Sequence, residues 1–192
     1  MRIYGILCTI IICLLLGYIS VLLNFKNKYE VTNQPVRADY KLMDAYAKKQ
    51  VDCLAQNMFF EAGYEPMVGQ VAVALVTQNR VESPNFPNTI CEVVKQKGIN
   101  SRGRTVCQFS WYCERKPHRQ LRNRKVHKDT HDVYAKIHEM ATQLYANLPR
   151  MNDYTEGATY YHADYVAPAW RKTKEVSLKV GRHIFYVAQE DI

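Results

Sequence analysis

At 192 residues, the chain has room for one ordinary domain and a short extension. Its charged and hydrophobic fractions, 23% and 47%, are those of a globular protein and exclude a disordered one. A net charge of +8 and a pI near 9.2 favour an anionic partner, whether nucleic acid, an acidic membrane surface or a bacterial wall, and charge alone does not choose among them.

Ile3 to Phe25 is almost wholly apolar, with Arg2 before it and Asn24, Lys26 and Lys28 at its end. Roughly 20 apolar residues cross a bilayer as a helix, so residues 1–27 predict one transmembrane anchor or uncleaved signal segment. A cleaved signal peptide is the rival, but no small-x-small pair follows the long apolar core before Asn24. Charges on both flanks leave the orientation open. Cys8 and Cys13 fall inside the span, leaving Cys53, Cys91, Cys107 and Cys113 for the rest of the chain. Four cysteines fit two disulfides in an oxidising compartment, with three pairings open. Cys107 and Cys113 stand too far apart for the tight Cys-x2-Cys spacing of structural zinc sites, so zinc ranks below disulfides.

Residues 28–40 are polar, contain Pro35 and show no apolar period, which predicts a linker. A helical pattern begins at Asp39 or Tyr40, continues through Leu42, Tyr46, Leu54 and Met58, and ends near Gly63. Leu54, Met58 and Glu61 share one face of that helix, so Glu61 sits on an apolar stripe near its end. Gly63 suits a C-terminal cap and Pro66 the first turn of a second helix, Pro66 to about Val81. There Gly69, Ala72, Val73 and Val76 offer a face of small side chains to a close neighbour. A carboxylate at a break between packed helices is partly desolvated, which raises its pKa and suits it to give up a proton near neutral pH. The bland alternative for Glu61 is a surface or capping glutamate.

Ser83 to Asn88 reads as a loop, and Thr89 as the cap of a short helix through Val94. Lys95 to Lys128 is irregular and basic, with Arg115, Lys116, Arg119, Arg122, Arg124, Lys125 and Lys128 close together; it is a solvated loop or an attractor of anionic polymer. No nucleic-acid fold accompanies it, so no nucleic acid is expected as a partner. Asp129 or Thr130 opens a helix with Val133, Ile137, Met140, Ala141, Leu144 and Leu148 on one face, closed by Pro149. His127 and His131 stand at helical metal-ligand spacing without a local third ligand, and read as surface histidines. The last forty residues alternate with period two: Tyr160–His162, then Val176, Leu178 and Val180, then Ile184 to Val187 after a Gly181-Arg182 turn. They predict a small antiparallel sheet with a hairpin, and hence an α+β domain over residues 41–192.

Four stretches in order carry a family resemblance: Glu61-Ala62 with Glu65-Pro66, Gly69 to Ala74 and Gln78 to Val81; Phe86 to Ile90 with Val93-Val94; Cys107-Gln108-Phe109-Ser110-Trp111; and Ala158 to Ala163 through Pro168-Ala169-Trp170 to Gly181–Tyr186. Together they resemble the SleB-type cell wall hydrolases, which are spore-cortex-lytic-like peptidoglycan hydrolases, over roughly Cys53 to Val187. The resemblance implies a mainly helical, lysozyme-like or transglycosylase-like domain acting on peptidoglycan, with Glu61 as the catalytic glutamate and no cofactor or metal. It also implies a lytic transglycosylase mechanism, in which the muramoyl C6 hydroxyl attacks the anomeric carbon and Glu61 serves first as acid, then as base. The chain departs from the family pattern in its cysteine-flanked basic insert after Trp111, in Gly63-Tyr64 where Arg-Gly is expected, and in having an apolar segment where a wall-binding repeat would precede.

Glycosidic cleavage needs an acid for the leaving oxygen and a group to stabilise or trap the oxocarbenium-like centre. Glu65 is the nearest second carboxylate, but Gly63 and Pro66 break the helix between the two, so Glu65 is expected to structure the turn or meet substrate rather than act as nucleophile. A water-using muramidase requires Glu65, Glu156 or Asp164 to face Glu61. Gln108, Ser110 and Trp111 from one motif, with Tyr160 and His162 from another, are candidates for binding sugar; packing is the alternative for Trp111 and Tyr160, and a satisfied structural ring for His162. Trp170 and Phe109 lean towards the core. The expected protein is a single-pass inner-membrane enzyme with its catalytic domain facing the periplasm or wall, of bacterial origin or a phage endolysin. Its rivals are a zinc N-acetylmuramoyl-L-alanine amidase, for which His127, His131 and His162 are the plausible ligands, and a non-enzymatic binder of wall or nucleic acid using residues 114–128.

Overall fold

The computed structural model describes residues 12–21, 35–100, 103–114 and 128–188. The chain forms two units, Met1–Val36 and Arg37–Ile192. In the first, residues 12–21 are helical and expose Ile12, Leu14, Leu15 and Leu16. The rest of the apolar span lies outside the described residues, and among the described residues no helix is long and apolar enough to cross a membrane. The transmembrane helix expected from the sequence therefore finds no support in the structure.

The second unit is mainly helical, with two small antiparallel sheets. Its helices are α1 (Ala45–Ala62), α2 (Met67–Glu82), α3 (Ile90–Lys95), α4 (Ser110–Cys113) and α5 (Lys128–Asn147). Its strands are β1 (Lys97–Ile99), β2 (Thr105–Cys107), β3 (Tyr160–Ala163), β4 (Lys174–Val180) and β5 (His183–Ala188). α1 starts later than the apolar pattern suggests, because Asp44 caps it by accepting from Ala47 N at 2.7 Å. Tyr40–Leu42 is a separate 3-10 turn with Asp39 as its own cap. The described end of the expected linker is docked: Ala38 exchanges hydrogen bonds with the Gln143 amide of α5, at 3.0 and 2.8 Å.

α1 is the central helix, packed by α2, α3 and α5. Val51, Leu54, Ala55 and Met58 on α1 are fully enclosed, and Ile137, Ala141 and Leu144 supply the facing stripe of α5, continued by Leu148 in the 3-10 turn that follows. One polar chain crosses this core with its partners satisfied. Trp111 Nε1 donates to Asn57 Oδ1 at 3.2 Å, and Asn57 Nδ2 donates to Thr77 Oγ1 at 3.1 Å. The small face of α2 does admit a close neighbour: Ala72 and Val76 pack with Ala158 and Phe185. α3 begins at a Thr89 cap, as its sequence suggests. Part of the region read as irregular is instead a hairpin, β1 against β2, paired Lys97 to Cys107 and Ile99 to Thr105.

The second sheet has the order β3-β5-β4. Opposed residues of an antiparallel pair share a face, so Tyr161 and Ala163 of β3 stand with Phe185 and His183 of β5, while Tyr160 and His162 point the other way with Tyr186 and Ile184. A register shift between Val176 and Leu178 breaks the simple alternation of β4. Leu178 and Val180 then pack towards α2, and Val176 is left exposed on the opposite face.

Two disulfides hold the unit: Cys53–Cys91 joins α1 to α3, and Cys107–Cys113 joins the end of β2 to the end of α4. The four cysteines are thus engaged with one another, and the zinc reading of them falls. The sequence separations are 38 and 6. Replacing Cys53 and Cys91 together by alanine is expected to lower the unfolding free energy by about 4 kcal/mol, against about 2 kcal/mol for Cys107 and Cys113, since longer closed loops constrain the unfolded chain more. Denaturant unfolding of both double variants measures the difference.

Candidate active site

Glu61 is the penultimate residue of α1, and the chain turns immediately after it. Gly63 is the C-cap, but in a right-handed conformation with φ −57°. What glycine supplies there is room, because a Cβ would collide with the Phe59 carbonyl. Pro66 then caps α2, its carbonyl accepting from Gly69 N at 2.8 Å. Gln70 Nε2 braces the turn by donating to the Gly63 and Glu65 carbonyls at 3.3 and 3.1 Å.

The end of α1 meets β3. The Tyr161 hydroxyl donates to Glu61 Oε2 at 3.1 Å, and the Tyr161 ring is held by Phe185 and His183, each with its centroid 5.4 Å away. β3 is itself fixed to α2. Asn79 Nδ2 donates to Asp153 Oδ2 at 2.8 Å and to the Ala158 carbonyl at 3.1 Å, and Arg80 Nε donates to the Thr159 carbonyl at 2.7 Å. The Arg80 guanidinium lies 5.2 Å from the Phe86 ring and 5.0 Å from the Phe109 ring, so its charge is buried behind the site.

Burial pushes the Glu61 carboxyl above its ordinary value. The Tyr161 hydrogen bond and the Arg80 charge pull it back, while the charge of Glu114 adds to the rise. The Tyr161 phenol is itself held well above its ordinary value by burial and by the charge of Glu61, so it remains the donor of the pair. Burial lowers the His183 ring below its usual value, against the opposing charges of Glu65 and Asp164.

A cleft of about 520 Å³ opens over this pair, lined by Phe60, Glu61, Ser110, Trp111, Glu114, Tyr161, His162, Ala163, Tyr165 and His183. Of the residues expected from sequence, it brings Glu61, Ser110, Trp111 and His162 together. Trp111 is deeply seated, stacked 4.7 Å from Phe60, and its indole nitrogen is engaged by Asn57. His162 engages both ring nitrogens inside the protein: Nδ1 donates to the Ala163 carbonyl at 2.9 Å, which leaves Nε2 of the neutral ring to accept from the Tyr186 hydroxyl at 2.8 Å. It is the satisfied structural ring, and the amidase alternative loses a ligand. Of the other two histidines, His127 lies outside the described residues, as do Arg115 to Val126 of the basic segment. Among the described residues, no three His, Cys, Asp or Glu side chains are placed to share a metal.

Three expected residues lie elsewhere. Gln108 is exposed at the β1–β2 hairpin, its backbone nitrogen donating to the Gln96 carbonyl at 3.0 Å. Tyr160, on the far face of β3, packs with Trp170 at 5.5 Å and lies under Lys174 Nζ at 3.6 Å. Glu65 Oε2 accepts from the Arg182 backbone nitrogen at 3.0 Å. The other carboxylates whose facing of Glu61 would suit a muramidase are not among the cleft-lining residues: Asp164 pairs with Arg182 at 3.7 Å, and Glu156 stands in an exposed turn with φ 57°. Glu114 is the second carboxylate on the cleft, and sequence reasoning missed it along with Tyr161, Tyr165 and His183. Tyr161 had a usable signal, since it alternates with the two β3 residues that were chosen.

Since ionised Glu61 is disfavoured in the fold, its penalty sets in as pH rises past the ordinary carboxylate pKa and is complete above its raised folded value. Relative to the parent, Glu61→Gln is therefore expected to gain stability as pH rises from the ordinary carboxylate range towards neutrality, and to hold that gain above it. Chemical denaturation across that range tests the sign.

Residues 64–186, more than half of the chain, match the family model described as Cell Wall Hydrolase. Glu61 stands just before the matched span. Two spore cortex-lytic enzymes, from Halalkalibacterium halodurans and Bacillus cereus, are each 27% identical over 141 and 143 residues. These matches cover 73% and 74% of this chain but 35% and 46% of the relatives, so the chain spans between a third and a half of their length. Among solved structures, the catalytic domain of the germination-specific lytic transglycosylase SleB from Bacillus anthracis aligns with a TM-score of 0.50 at 25% identity, over 76% of this chain and 100% of that one. With the helical order, the small sheet and the Glu61 cleft in place, these matches establish that the chain belongs to the cell wall hydrolase family.

Proposed function

We propose that the chain cleaves the glycan strands of peptidoglycan as a lytic transglycosylase, with Glu61 as its acid and base. The observation that carries this reading is a largely buried carboxyl on the wall of an open cleft, its pKa raised by burial and its orientation set by one phenol. The relatives' names, spore cortex-lytic enzyme and lytic transglycosylase, support the same substrate class.

In this reaction the Glu61 proton passes to the glycosidic oxygen as the bond from that oxygen to the muramoyl anomeric carbon breaks. The C6 hydroxyl of the same muramoyl residue attacks the anomeric carbon, and its proton passes to the Glu61 carboxylate, which restores the acid. The product carries a 1,6-anhydro ring, and no water is consumed. The Tyr161 hydrogen bond and the buried charge of Arg80 stabilise the carboxylate in the interval between the two transfers. A water-using muramidase is the second reading, favoured by the presence of Glu114 on the same cleft. The two disulfides support action outside the reducing cytoplasm. The apolar segment near the N-terminus is proposed as the means of export or attachment to the membrane.

Digestion of purified peptidoglycan, followed by mass spectrometry, tests the reading. Anhydro-muropeptides are expected from the parent, with a loss of at least about a hundredfold in Glu61→Gln. Reducing muramic ends would point to the muramidase. Free stem peptides, or undiminished activity in Glu61→Gln, would overturn the assignment.

A further inference from the structure

Glu65 lies across the α1–α2 turn from Glu61, where a partner carboxylate for sugar chemistry would be sought. Its carboxylate is engaged by the β4–β5 turn instead. Oε2 accepts from Arg182 N at 3.0 Å. The preceding Gly181 has φ 55°, in the left-handed region, and a Cβ there would collide with Glu65 Oε2 and approach Pro66 Cδ to 3.3 Å. The hairpin turn is thus shaped around the carboxylate, and the residue that permits the approach has no side chain.

Arg182 carries the contact onward. Its carbonyl accepts from Asp164 N at 2.7 Å, its Nε lies 3.7 Å from Asp164 Oδ1, and its guanidinium lies 4.8 Å from the Tyr165 ring. The next residue, His183, opens β5 on the face that holds Tyr161, and both His183 and Tyr165 line the cleft. One carboxylate therefore joins the turn that ends the Glu61 helix to the turn that sets the start of β5. It contacts the turn that leads into β5, whose His183 lines the cleft, and it is not itself among the cleft-lining residues.

We propose that Glu65 is a positioning residue. Its carboxylate seats the β4–β5 turn on the α1–α2 turn and so holds His183 and Tyr165 in register with Glu61, taking no part in bond breaking. This rests on the reading of the cleft as a glycan site with Glu61 as its acid. The role needs an acceptor oxygen, not a negative charge. A nucleophile or a base would need the charge.

The test compares full-length Glu65→Gln, Glu65→Ala and Gly181→Ala on purified peptidoglycan, with kcat, KM, product identity and thermal melting recorded for each. Glu65→Gln is expected to stay within about threefold of the parent, because the amide oxygen accepts the same hydrogen bond. Glu65→Ala and Gly181→Ala are expected to lose roughly tenfold or more in kcat/KM with unchanged product species, since both displace the same contact and misplacement alone is costly. A Glu65→Gln variant that melts like the parent yet is as impaired as Glu65→Ala would overturn the proposal, because the charge itself would then be required. Full activity in Glu65→Ala would overturn it equally. Failure of the underlying reading shows up separately, as glycan cleavage that persists in Glu61→Gln or is absent from the parent.

Discussion

The carboxyl of Glu61 is held where α1 ends and β3 passes, largely withdrawn from water at the edge of the cleft and within reach of one hydroxyl donor. Burial favours its neutral form, and each pKa unit of such a shift corresponds to about 1.4 kcal/mol. Opposing this are the Tyr161 hydrogen bond and the buried guanidinium of Arg80. The balance matters more than either side alone. Burial without a donor would give an acid that cannot tolerate its own conjugate base, and full pairing with arginine would give a permanent carboxylate with no proton to deliver.

Much of the fold serves that placement. Tyr161 reaches Glu61 only because β3 is fixed to α2 through Asn79 and Arg80, and because Phe185 and His183 of β5 back its ring. β5 in turn comes close to α2 because Ala72 and Val76 are small. On the opposite wall, α4 is held by Cys107–Cys113, by the stacking of Trp111 on Phe60 and by the bond from the Trp111 indole to Asn57. The basic insert that departs from the family pattern read in the sequence begins directly after Glu114, which lines the same cleft as Glu61.

The helices were legible because their signals are local: apolar period, the Thr89 cap, Gly63, Pro66 and the closing Pro149. The position of Glu61 followed from them. The sheet side of the site was harder to see, for a physical reason. Neighbours in a strand point to opposite faces, so Tyr160 and His162 share the face of β3 away from the Glu61 hydrogen bond, and Tyr161 between them makes it, although His162 still reaches the cleft lining. Nothing in Tyr160-Tyr161-His162 tells which face meets α1; that is decided by pairing with β5, more than twenty residues away in sequence. The register shift before Leu178 had the same effect on Val176, and short β1 and β2 carry too little alternation to be read. Glu65 reads in the sequence as a residue of its own turn or of the substrate site, whereas the turn its carboxylate meets belongs to a distant hairpin.

Burial at the end of α1 raises the Glu61 pKa, and carbon-13 NMR titration of its carboxyl in the folded protein measures the shift directly. A Glu61 pKa above that of an ordinary glutamate is expected, rising further in Tyr161→Phe as the hydrogen bond that stabilises the carboxylate is removed. An ordinary or depressed value, or no upward movement in Tyr161→Phe, would contradict it.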